Sequence, residues 1–116
     1  MNIVEMSDDE IIAIAEPMWA DLVKYSNNQN YGMFTKNFSD DMLRGANEIE
    51  MGKQFARSEL TKGLSPDFDF LGTIRRGEHV TVLFRQRHKK RDGEWLGRLV
   101  LGNQQDEYKI FGATIF

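Results

Sequence analysis

Three groups of side chains in this chain have types and spacing suited to chemistry. Asp69, close to Leu71 and Phe84, is a carboxylate among apolar neighbours. Burial there would raise its pKa and poise it as a general base, while exposure would make it a solvated residue at a strand start. Arg85, Arg87 and Arg98 recur at strand spacing, and their guanidinium forks suit bidentate capture of a carboxylate or phosphate. Like charges placed so close repel, and solvent or a partner's carboxylate would relieve that repulsion as well. Trp19, Tyr31, Phe34, Phe38 and Phe55, with Met18 and Met42, form an aromatic set that reads either as core or as the lining of an apolar pocket. Phe84 continues that lining, and Gln86, Tyr108 and Asp69 are its possible polar handles. His88 shares a strand face with Gln86, beside the basic run Lys89-Lys90-Arg91, and reads as a rim residue. His79 follows a tight turn and reads as exposed.

Other chemistry is excluded or weakly supported by composition. The chain has no cysteine, which removes disulfides, thiolate metal sites and thiol nucleophiles. Two histidines without a spaced carboxylate set give no case for a metal, and no cofactor motif is present. The 116 residues suit one domain, residues 1–116. No apolar run approaches the roughly 20 residues that cross a bilayer, and the N-terminus lacks a signal-peptide pattern, so the expected compartment is the cytoplasm. Net charge is −3, but residues 1–71 carry 6 basic against 13 acidic side chains and residues 72–116 carry 9 against 5. Acidic helices complementing a basic sheet account for this. A pI near 5.4 speaks against a nucleic-acid partner.

The elements that must position these residues divide at about residue 65, into a helical part (7–63) and a sheet part (68–116). Ser7-Asp8-Asp9-Glu10 matches a capping box. Ile11, Ala15, Met18, Leu22 and Tyr25 follow at spacings of four and three, widened by Ile12, Trp19 and Val23, as for a helix laid on a sheet. Pro17 lies inside this pattern and predicts a kink or break. An aromatic connector at Tyr31–Phe38, a helix start at Ser39-Asp40-Asp41 and a second helical stretch over about 47–62 follow, the last with Ile49, Phe55 and Leu60 as contacts.

From Asp69 onward the chain reads as four strands joined at Arg76-Gly77, at Asp92-Gly93 and over Asn103–Asp106. A two-residue loop at Asp92-Gly93 sets Arg87 opposite Arg98 and Phe84 opposite Leu101. Alternation then assigns Asp69, Leu71, Thr73, Val80, Val82, Phe84, Gln86, His88, Leu99, Leu101, Tyr108 and Ile110 to one face. Phe68, Phe70, Ile74, Leu83, Arg85, Arg87, Leu96, Arg98, Val100, Phe111 and Ile115 fall on the other. Helices cover one face only. The second apolar face therefore predicts a homodimer packed sheet to sheet. Burying about 700 Å² at roughly 25 cal/mol per Å² gives on the order of 17 kcal/mol before association costs.

Leu22-Val23-Lys24-Tyr25 with Asn30-Tyr31-Gly32-Met33-Phe34, the segment Gly93-Glu94-Trp95-Leu96-Gly97-Arg98-Leu99-Val100-Leu101, and Tyr108-Lys109-Ile110-Phe111-Gly112 together resemble the nuclear transport factor 2-like superfamily. The resemblance spans nearly the whole chain. It implies an α+β cone, with N-terminal helices in the concave face of a curved, mainly antiparallel sheet of four or more strands and a pocket at the open end. The role expected first is a non-catalytic domain that holds a small, largely apolar molecule in the cone as a dimer; the alternatives, in order, are a protein-interaction subunit acting through its dimer surface, and an isomerase or dehydratase using Asp69 with Tyr108 or His88. No catalytic motif of those enzymes is intact, because a second inward carboxylate is missing and the sheet arginines fall on the outer face.

Overall fold

Ser7 starts the first helix in the way its spacing requires. Its hydroxyl accepts from the Glu10 amide (3.2 Å), and the Glu10 carboxylate accepts from the Ser7 amide (3.0 Å), closing the capping box. In the computed structural model, which describes residues 1–45 and 60–116, this helix (α1) runs unbroken from Asp8 to Asn27 with Pro17 inside it. The expected break does not occur. Pro17 removes one amide donor only, and it points that loss to the exposed side, while Ile11, Ala15, Trp19, Leu22, Val23 and Ser26 are buried on the other.

Two short helices follow, α2 (Tyr31–Phe34) and α3 (Asp40–Arg44), capped by the side chains of Asn30 and Ser39. The expected contacts Ile49 and Phe55 lie outside the described residues. A 3-10 turn at Leu60–Lys62 leads into the sheet. Its strands are β1 (Leu64–Arg76), β2 (His79–His88), β3 (Trp95–Gln104) and β4 (Glu107–Ile115), antiparallel in the order β1-β2-β3-β4. The fold is α+β, as the pattern indicated, with α1 packed on one face of a curved sheet. No described helix is long and apolar enough to cross a membrane.

The register corrects the sequence reading in four places. Phe84 pairs with Gly97 instead of Leu101, because the β2–β3 connection is longer than two residues, and Arg87 does not oppose Arg98. The displacement is even, so the faces of β2 and β3 are preserved. In β1 a bulge between Phe70 and Gly72 turns the strand start over: Phe68 and Phe70 face inward and Asp69 faces outward beside Arg85. In β4 an irregularity opposite Val100 and Leu101 does the same for the strand end, so Ile115 joins Gly97 on the inner side. The third turn is also tighter than expected, with Gln104 pairing Glu107 and Gln105 at φ 55°.

The core lies between α1 and the inner face and is built from Ile11, Ala15, Trp19, Leu22, Val80, Val82, Phe84, Leu99, Leu101 and Ile110. Two buried contributors, Ile3 and Leu64, went unread in the sequence. Ile3, in a 3-10 turn at Ile3–Glu5, is fully buried, and this N-terminal segment packs on β2 and β3.

Candidate functional site

The inner face is where the sequence placed a pocket, and its aromatic residues converge there on one another. The Trp19 indole stacks on Phe84 (centroids 5.2 Å apart, planes at 21°), and Phe68 and Phe70 meet Phe84 edge-on at 5.3 and 6.4 Å. Gly97 makes room for the indole: a β-carbon there would stand 2.4 Å from Trp19 Cζ2. Gln86 is fully buried, and both ends of its amide are satisfied. Its Oε1 accepts from Trp19 Nε1 (2.8 Å), and its Nε2 donates to the carbonyls of Ser65 (2.8 Å) and Arg87 (2.9 Å).

The remaining lining residues lie further along the same face. Phe38 is buried in a parallel bridge with Ile110, and Phe34 meets it edge-on at 5.5 Å. Tyr31 packs against this cluster half-buried. Tyr108 donates its hydroxyl to the Met1 carbonyl (3.3 Å), which also accepts from Asn103 Nδ2 (3.1 Å), while Asn103 Oδ1 accepts from the Ile3 amide (2.9 Å). The N-terminal segment is thus pinned to the end of the sheet where Tyr108 stands. Phe55 lies outside the described residues. A separate surface groove of about 380 Å³ runs between α1 and the start of β1, lined by Ala20, Val23, Lys24, Asn27, Asn28, Pro66 and Lys89. None of the expected lining residues borders it.

The outer face is different in kind. Reading across the strands, one row holds Asp69, Arg85 and Leu96; the next holds Leu83, Arg98 and Thr114, with Leu71 in the adjoining bulge; a third holds Ile74, Thr81, Val100 and Gly112. Leu71, Ile74 and Leu96 are 47%, 49% and 38% exposed. No described element packs over these rows.

At one end of this face the charges are paired. Arg87 donates to Asp69 Oδ2 at 2.6 Å and Arg85 does so at 3.3 Å, while Arg85 Nε lies 3.4 Å and Arg87 Nη2 4.0 Å from Glu94 Oε2. The hydrogen bond from Arg87 lowers the pKa of Asp69 most; desolvation opposes it, and the positive charge of Arg87 and the hydrogen bond from Arg85 add to the lowering. Asp69 in return raises Arg87. Two carboxylates thus neutralise two of the three arginines within the chain. Glu94 was missed as a member of this set, since the two-residue turn placed it elsewhere. Arg98, amid the apolar rows, has no carboxylate within 4.0 Å among the described residues.

The charge asymmetry of the sequence finds a partial structural account in Arg75. It joins the sheet to the acidic start of α1 through Asp8 (2.9 Å) and donates to the carbonyls of Val4 and Met6. Among the described residues no three His, Asp or Glu side chains converge as metal ligands. Compared with known families and curated proteins, the chain matches no family model and no curated sequence.

Proposed function

We propose that this protein is a non-catalytic interaction subunit that works as a homodimer, its two sheets packed outer face to outer face. The observation that carries the reading is the three-row apolar patch of Leu71, Ile74, Leu83, Leu96 and Val100, which no described element covers and which holds at its centre Arg98, without a carboxylate partner among the described residues. Monomers rarely leave a contiguous patch of that kind in water. A second copy related by a two-fold axis presents the same apolar surface, and it brings carboxylates that its own arginines only half enclose: Asp69 and Glu94 keep 46% and 58% of their side-chain surface. One of these can meet Arg98, whose burial without an acceptor would cost more than the apolar contact nearby returns.

A long N-terminal helix laid on an antiparallel meander supports the nuclear transport factor 2-like reading of the fold. Two other readings draw less support. A small apolar ligand on the inner face competes with Trp19, Phe84 and Gln86, which already satisfy one another. An enzyme using Asp69 needs a base of raised pKa facing the pocket, whereas Asp69 faces outward and two arginines lower its pKa, which weakens it as a base.

The test is the double variant Ile74→Glu, Leu96→Glu. Both positions are exposed, so the chain still folds and melts cooperatively. The proposal requires the variant to elute at the mass of one chain under conditions where the wild type elutes at two. Equal elution of the two proteins would refute it.

A further inference from the structure

We propose that His88 is an acid-sensitive latch for the turn between β2 and β3. Its Nδ1 accepts two backbone amides of that turn, from Lys90 and Arg91, each at 3.1 Å. A nitrogen that accepts twice carries no proton, so the neutral ring bears its hydrogen on Nε2. That Nε2 is buried and has no hydrogen-bond partner among the described residues. The ring is seated against Gly63, where a β-carbon would stand 2.5 Å from Cε1, and beside Trp95 at 6.1 Å between centroids. On the same side the Lys89 amide donates to the Gly63 carbonyl at 2.7 Å. One imidazole therefore ties the turn to the segment that opens β1.

Protonation at Nδ1 converts the double acceptor into a donor. The amides of Lys90 and Arg91 then face an N–H, both hydrogen bonds are lost, and the turn is released. The charged groups in the surrounding described elements do not offset this. Lys62 adjoins Gly63, Lys24 of α1 shares the groove with Lys89, and the turn itself carries Lys89, Lys90, Arg91 and Asp92. Glu94, at the foot of β3, is directed to Arg85 and Arg87. Among the described residues no carboxylate oxygen lies within 4.0 Å of the ring nitrogens. Release of the turn also frees Glu94 from the arginines it helps neutralise. The latch itself does not depend on the dimer.

Nitrogen-15 spectra and amide exchange across pH 8 to 5 test it. At pH 8 His88 should show the Nε2–H tautomer. As it protonates, exchange at Lys90 and Arg91 should rise roughly tenfold above the intrinsic pH trend, while Val82 and Leu99 in the sheet follow that trend. In His88→Asn the side-chain oxygen can accept but cannot titrate, so the step should vanish. A ring that stays neutral down to pH 5, unchanged protection of Lys90 and Arg91 through His88 protonation, or a step that persists in His88→Asn would each overturn the latch.

Discussion

Asp69 shows how one backbone irregularity decides what a residue does. Inward, it would have been a carboxylate among phenylalanines; outward, it is held by Arg87 and Arg85. Its lowered pKa has a definite consequence with pH. A carboxyl whose folded pKa lies below its unfolded value adds stability above the unfolded pKa, about 3.9, and loses it as pH falls through the folded value. Direct NMR titration of the Asp69 carboxyl should therefore give a midpoint below that ordinary value, and Asp69→Asn should abolish this contribution at neutral pH. A midpoint at or above 4 would contradict the pairing. Residue identity revealed little of this. The bond between Trp19 and Gln86 joins positions far apart in the chain, and neither residue carries a local signal of its partner. The N-terminal segment was likewise silent, although apolar Ile3 and Val4 ahead of a capping box were a usable sign of docking.

At the level of elements, two periodicities were legible because each reports a single geometry. Spacing of three and four gave the buried stripe of α1, and alternation gave the faces of β2 and β3 even though their register was displaced by an even step. The bulges were not legible from alternation, since an extra residue leaves no mark on the pattern before it. Each nonetheless lies beside a glycine, Gly72 in β1 and Gly112 in β4, the residue type that often marks such a site. Gly97 has a different purpose, as the floor under the Trp19 ring. Gly97→Ala should destabilise the protein by about 1–3 kcal/mol in denaturant melts, because the methyl group displaces an indole that is stacked and hydrogen-bonded. A variant as stable as the wild type would mean that Trp19 does not rest there.

The whole molecule has one face closed by its own helix and one left to water by every described element. That contrast was visible in the sequence, since both faces of the strands are apolar and one helix layer covers only one. The chemistry assigned to each face was less visible, because it depended on which side of β1 Asp69 falls. Sedimentation velocity of the wild-type protein at low micromolar concentration tests the central claim most directly. A single species at twice the 13.5 kDa chain mass is the predicted result. A species of one chain mass, unchanged as concentration rises tenfold, would contradict it.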